Sequence, residues 1–252
     1  MPQPRIRMFA GPNGSGKSTV KEYLLPHHIG AYLNADELEQ MLNTTHQLNL
    51  MVYHSALKAQ DLMDFLKQKK RPQTQIGDFI PLLKLDPILL DDYNIQFAST
   101  EIDSYLCARI IDYIRLEFLR LKISFTFETV MSHISKVEFL QEAQRQGFKT
   151  YLYYVSTVDP LINIARVQYR VSVGGHPVPE KKIVERYYRS MDLLMQAVDA
   201  SDRAYLFDNS SNGEKAAFIA EIQLAETLKM NPDILHLPWW FAEKVLKEFI
   251  DE

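Results

Sequence analysis

Along the chain, short runs rich in apolar, β-branched and aromatic residues alternate with longer stretches whose apolar positions return every three or four residues. The first rhythm marks strands and the second marks amphipathic helices. Residues 5–10 (RIRMFA), 31–33 (AYL), 123–127 (ISFTF), 150–155 (TYLYYV) and 204–207 (AYLF) carry the strand pattern, and 216–222 (AAFIAEI) is a candidate final strand. Helical spacing covers 17–25 up to Pro26, resumes at Glu37, and returns over 50–70, 100–121, 135–146, 160–173 and 180–200. Gly147 stands where a helix C-cap is expected. Residues 72–99 contain Pro81 and Pro87 and keep no clear period, which predicts loops and short strands. Strand and helix taking turns predicts a three-layer α/β sandwich. Its sheet should be mostly parallel, with five to six strands and helices on both faces. The expectation is one domain over 1–252, with an insertion at 45–99 between the second and third core strands.

Between the first strand and the first helix lies GPNGSGKST, residues 11–19, with the spacing G-x-x-x-x-G-K-[ST]. Strand, glycine loop and helix in that order form a phosphate cradle, because glycines let backbone N–H groups converge on phosphate oxygens. The chain has nine glycines, and three of them, Gly11, Gly14 and Gly16, fall in this loop, so a chance match is a poor explanation. Gly11, Pro12, Asn13, Gly14, Ser15, Gly16, Lys17, Ser18 and Thr19 are therefore the candidate ATP-binding residues. Lys17 would reach the β- and γ-phosphates, and the Ser18 hydroxyl would complete the shell of a Mg²⁺ ion that keeps most of its waters. Thr19 is expected to pack or cap.

Composition narrows the partners. With 46% apolar residues a real core is expected. Twenty-eight basic and thirty-two acidic side chains leave a net charge of -4, which offers no global field for nucleic acid. No apolar run approaches membrane-spanning length, and a soluble, cytoplasmic protein is expected. Cys107, the single cysteine, excludes an internal disulfide and a multi-thiolate zinc site, and its helical surroundings place it in the core.

Ligands of open α/β sheets bind at the carboxyl ends of strands, which brings forward Asp36, Glu128, Ser156 and Asp208. Phosphoryl transfer to a hydroxyl needs a carboxylate to take its proton, and Asp36 is the first candidate; a helix N-cap is its equally ordinary role. Glu128 with Thr129 could bind a substrate hydroxyl or organise Mg²⁺, or could cap the next segment. Asp208 opens Asp-Asn-Ser-Ser-Asn-Gly, good turn chemistry without any ligand. A second cluster spans 166–189, where Arg166 and Arg170 share a helix face and Gly174 and Gly175 precede His176 and Pro177. This is the composition of a lid that closes over phosphates. Lys182, Arg186 and Arg189 extend its basic face or pair with neighbouring acids. The tyrosines at 151, 153, 154, 187 and 188 read as core or cleft wall, and Trp239 and Trp240 as anchors of the C-terminal helix.

Taken together, GPNGSGKST, NAD at 34–36, SFTFETVMSH at 124–133, RVQYRVSVGGHPVP at 166–179 and DNS at 208–210 resemble the zeta-toxin family of P-loop kinases. The likeness extends to shorter relatives labelled predicted ABC-type ATPases and covers about residues 5–210. The resemblance implies an ATP- and Mg²⁺-dependent kinase that phosphorylates a hydroxyl of a nucleotide-sugar, typically UDP-N-acetylglucosamine, often as a toxin held by a protein antitoxin. It also implies Lys17 on phosphate, Asp36 as general base, Glu128 and Thr129 on substrate or metal, and Arg166 on the transferred group. Founding members carry a second arginine near the lid proline. Here His176 stands near that place as a substrate-binding candidate, and Arg170 is the substitute. Two other readings remain open on the residues alone: a polynucleotide or nucleoside kinase using the Lys182–Arg186 face, and a nucleotide-dependent ATPase switch.

Overall fold

A computed structural model describes residues 3–68, 87–97, 101–175 and 177–250. β1 (Arg5–Ala10) runs into the glycine loop, a 3-10 helix at Lys17–Tyr23, α1 (Pro26–Ile29) and β2 (Ala31–Leu33). There follow α2 (Ala35–Thr45), β3 (Gln47–Asn49), a 3-10 turn at Leu50–Val52, α3 (Ala59–Lys67), β4 (Ile88–Leu89), β5 (Asn94–Gln96) and α4 (Ser104–Arg120). The chain continues with β6 (Phe125–Thr129), α5 (Ser135–Arg145), β7 (Lys149–Ser156), α6 (Pro160–Ser172), α7 (Glu180–Asp192) and α8 (Leu194–Asp199). β8 (Arg203–Asp208), β9 (Ala217–Gln223), β10 (Thr227–Met230) and a short helical C-terminus from Trp239 complete it.

Two compact units emerge, Met1–Tyr32 with Lys122–Glu252, and Leu33–Leu121. The main sheet orders its strands β10-β9-β8-β7-β1-β6-β2. β1 pairs in parallel with β6 and β7, and β7 with β8, so β1 is central and its carboxyl end meets the glycine loop. Among the described residues the main sheet has seven strands where five to six were expected, and β8, β9 and β10 are joined antiparallel. The short β8–β9 connection explains this: a parallel return needs a crossover of a dozen or more residues, and a turn does not. Ile6, Met8, Phe125, Phe127 and Leu152 are fully buried on one face of this sheet. Phe139 of α5 meets both Phe125 and Phe127 edge-on.

The second unit has a small antiparallel sheet, β3-β5-β4, and helices α2 and α3 packed on α4. The short strands expected before residue 99 are present within 87–97; residues 69–86 and 98–100 lie outside the described residues, and with them most of 72–99. A continuous helix over 50–70 does not form. Leu50–Val52 is a 3-10 turn and helix begins only at Ala59, because the Ala59 and Leu50 amides bond the carbonyls of Asp92 and Tyr93 instead. Cys107 is fully buried in α4, as expected. Burial first, then the carboxylates of Glu39, Asp103 and Asp36, push its thiol up to about 12.

Other departures are local. The helix after the glycine loop is a 3-10 helix that stops at Tyr23, and Pro26 starts a separate turn rather than ending the helix, since its ring suits a first helical position. The expected helix 180–200 is divided at Leu193 into α7 and α8.

Candidate nucleotide site

The loop at 11–19 is held from two sides. Asn163, fully buried on α6, donates from Nδ2 to the Asn13 carbonyl at 2.6 Å and accepts from the Thr157 hydroxyl at 2.5 Å. Asn209, just past β8, donates from Nδ2 to the Ser15 carbonyl at 2.8 Å, while its own amide bonds the Ser156 carbonyl at 2.8 Å. The loop is thereby tied to the carboxyl ends of β7 and β8. Its glycines are sterically required. Gly14 has φ 73° and a Cβ there would lie 2.5 Å from the Asn163 carbonyl oxygen; Gly16 has φ 87° and a Cβ would lie 2.1 Å from Asn209 Nδ2.

Two polar groups stand out within the loop. The Ser15 hydroxyl oxygen is buried and has no hydrogen-bond partner, a state that costs about 1–3 kcal/mol. Lys17 folds back, its Nζ donating to the carbonyls of Gly11 at 3.1 Å and Pro12 at 3.0 Å. Ser18 is exposed. Thr19 caps the turn, its hydroxyl donating to the Gly16 carbonyl at 2.7 Å.

Arg166, one turn before Arg170 on a shared helix face, could point with it at one anion. Its guanidinium turns into the β8–β9 loop instead, donating to the carbonyls of Asn209 at 2.6 Å and Ser211 at 2.9 Å and to Asn212 Oδ1 at 3.1 Å. Burial lowers its pKa, with Asp208 acting the other way. Arg170 follows one turn later, half-buried, and its carbonyl accepts the Gly175 amide at 2.8 Å. Gly174 has φ 93° beside this bond, so the glycine pair forms the stop of α6. Arg186 of α7 reaches Asn13 Oδ1 at 3.5 Å. His176 lies outside the described residues.

Glu128 and Thr129 end β6 rather than follow it. The Tyr32 hydroxyl donates to the Glu128 carboxylate, and the Lys21 ammonium sits 3.3 Å from the centre of the Tyr32 ring. The Thr129 hydroxyl accepts the Met131 amide at 3.1 Å, closing the turn after the strand. Asp208 does the turn chemistry expected of it: Oδ2 accepts the Ser210 amide at 3.1 Å, and Oδ1 accepts the Trp240 indole at 2.9 Å. Trp240 is fully buried and anchors the C-terminal helical turns. Ser156 is buried within the last step of β7.

Asp36 belongs to the second unit. Its alternative role as helix cap is taken by Asn34, whose Oδ1 accepts the amides of Asp36 at 2.9 Å and Glu37 at 3.4 Å. Asp36 is left exposed in the first turn of α2, where the helix dipole favours a carboxylate. No cluster of three or more His, Cys, Asp or Glu suited to a metal occurs among the described residues.

Asn163, Asn209 and Tyr32 were not singled out as site residues from the sequence, whereas Arg186 was read there only as part of the basic face of 166–189. The available signal was an asparagine on the apolar face of the 160–173 helix, a position that demands buried amide partners.

No family model matches the chain. An uncharacterized protein of Haemophilus influenzae is 34% identical over 65 residues, covering 26% of this chain and 46% of its own length. Among solved structures, a chain of the AvrRxo1-ORF1:AvrRxo1-ORF2 complex with sulphate ions superposes with a TM-score of 0.53 at 13% identity, over 92% of this chain and 62% of that one. The same complex with ATP gives a TM-score of 0.52 at 14% identity, over 91% and 61%. A chain from the PezAT toxin–antitoxin system of Streptococcus pneumoniae aligns at a TM-score of 0.46 and 13% identity, over 83% and 70%. The present chain thus spans under two thirds of the length of the AvrRxo1 chains it matches. The class is an α/β P-loop fold with a mostly parallel central sheet, as expected from the sequence. Among the described residues no helix is long and apolar enough to cross a membrane.

Proposed function

We propose that this chain is a zeta-toxin-like, ATP-dependent kinase that transfers a phosphoryl group to a hydroxyl of a small molecule. The observation that carries this is the glycine loop itself: fixed from two strand ends by Asn163 and Asn209, intolerant of side chains at Gly14 and Gly16, and holding an unpartnered Ser15 hydroxyl beside a folded-back Lys17. A phosphate oxygen would satisfy the Ser15 hydroxyl, and Lys17 would exchange two carbonyls for phosphate oxygens. The AvrRxo1 complex, a neighbour by fold, was solved with ATP.

Gly11 to Thr19 would hold the nucleotide. Mg²⁺ would sit on the exposed Ser18 hydroxyl with mostly water ligands and would neutralise charge on the phosphates. Asp36 is the proposed general base, with Glu128 and Thr129 on the substrate side. Arg166, Arg170 and His176 form the proposed lid, in which Arg166 would leave the β8–β9 loop for the transferred group. The acceptor's hydroxyl oxygen bonds the γ-phosphorus as the bridging P–O bond to the β-phosphate breaks, ADP leaves, and the hydroxyl proton passes to Asp36. We assign the acceptor to the nucleotide-sugars, and a protein antitoxin is the proposed partner.

The test is to incubate the protein, Lys17→Ala and Asp36→Asn with Mg²⁺-ATP and a panel of nucleotide-sugars, nucleosides and oligonucleotides, then detect added phosphate by mass spectrometry. A phosphorylated nucleotide-sugar is expected with the native protein alone, while Asp36→Asn still binds ATP. Free phosphate as the only product would replace transfer by an ATPase switch. A phosphorylated oligonucleotide would move the acceptor to nucleic acid.

A further inference from the structure

The opposite end of the main sheet carries a second feature, independent of the glycine loop. Strand pairing sets Arg5 level with Lys149, Arg7 with Tyr151 and Arg203, and Phe9 with Tyr153 and Tyr205. All occupy alternate positions, so they share one sheet face. Val20 of the 3-10 helix packs with Phe9, Tyr153, Val155 and Phe207 over the carboxyl half of that face. The amino half opens as a cavity of about 600 Å³. Small-ligand sites run from about 300 to 1,000 Å³.

Its chemistry is cationic and aromatic. Arg5, Arg7, Lys149, Arg203 and His28 line it. The facing carboxylate is Glu221 on β9, level with Tyr205, and it pairs with Arg203 at 2.7 Å. Arg7 is only 6% exposed, lies 5.3 Å from the Tyr151 ring centre and hydrogen-bonds the neutral Tyr153 side chain, and it has no ion-pair partner among the described residues. A guanidinium withdrawn from water without an anion is costly, and the cavity in front of it is where an anion would relieve that cost. Tyr153 and Tyr205 stack at 4.9 Å and 22°. Burial pushes Tyr153 up to about 12 and raises Tyr205, so neither offsets the cations near neutral pH. Burial and then the charges of His27, Arg7 and Arg5 lower the His28 pKa. In a chain of net charge -4 this patch is not a by-product of overall basicity.

We propose that this cavity binds a small anion bearing an aromatic ring, of the nucleoside monophosphate class, at a site separate from the glycine loop. Arg7 meets the phosphate, Arg5 and Lys149 flank it, and the ring packs against the tyrosines. At about 3.3 Å per residue, Arg7 lies some 13 Å along β1 from Gly11, too far for the two sites to share one phosphate. The cations gather around one cavity instead of tracking along the surface, which favours a mononucleotide over a strand of nucleic acid.

The probes are AMP and UMP, titrated calorimetrically into the full chain and into Lys17→Ala, with inorganic phosphate, adenosine and a short oligonucleotide as comparisons. Saturable one-to-one binding of a monophosphate that survives Lys17→Ala is expected. Arg7→Gln should weaken it tenfold or more, and so should the surface pair Arg5→Ala with Lys149→Ala, which keeps the test decisive if the buried change disturbs folding. The proposal fails if no saturable binding appears at millimolar monophosphate, or if the surface pair leaves binding unchanged. It also fails if phosphate alone binds as tightly, or if the oligonucleotide binds far more tightly with steep salt dependence.

Discussion

Asn209 touches the glycine loop at Gly16, where a Cβ would lie 2.1 Å from its Nδ2, which makes it a sensitive probe of how that loop is held. Its Nδ2 satisfies the Ser15 carbonyl and also occupies the space a side chain at residue 16 would need. Asn209→Ala therefore removes a largely buried donor and should cost about 1–3 kcal/mol in urea unfolding. Gly16→Ala should destabilise through two separable causes, the collision with Asn209 and the left-handed φ of 87°. Combining the substitutions relieves only the collision. The double variant should thus be less destabilised than the sum of the singles, with a residue of strain remaining. Strict additivity would mean that the contact is not what excludes a side chain there. The loop was legible from its spacing alone, whereas its two asparagine braces were not, because each acts across the fold on residues far away in sequence.

At the level of elements, legibility followed how completely an element's pattern is written in its own residues. β2 matches its expected bounds, and α5, α6, β7 and β8 match to within a residue or two, because buried strands and amphipathic helices carry their period locally. β10 escaped notice because Thr227–Met230 is mostly exposed and shows no alternation. The antiparallel return of β9 was signalled by the turn residues Asp208 to Gly213, within an eight-residue connection, 209–216, too short for a parallel crossover. The start of α2 shows how near-neighbours divide labour. Asn34 caps the helix and leaves Asp36 exposed in the next turn. Asn34→Ala should then cost about 1 kcal/mol of stability, while Asp36→Asn should cost little and strike activity instead. Thermal unfolding of the two variants separates the roles; a large loss of stability in Asp36→Asn would make its carboxylate structural.

For the whole molecule, the nucleotide loop belongs to the first compact unit and Asp36 to the second, so each can be followed through peptides of its own unit. Ligands should therefore leave distinct footprints in amide hydrogen exchange, which reports local opening segment by segment. Mg²⁺-ATP without acceptor should protect peptides covering 11–19, 157–170 and 206–213, because the loop and its braces at Asn163 and Asn209 are joined by hydrogen bonds and would stiffen together. At a hundredfold excess over Kd the nucleotide should add about 2.7 kcal/mol to the stability of whatever unfolds with that loop. Lys17→Ala should lose both effects. Protection of peptides covering 34–45 should require the acceptor as well, since Asp36 is assigned to the acceptor's proton and not to ATP. Nucleotide protection confined to the sheet face around Arg7 and Lys149 would contradict this division, because it would place ATP in the cationic cavity and leave the glycine loop without its assigned ligand.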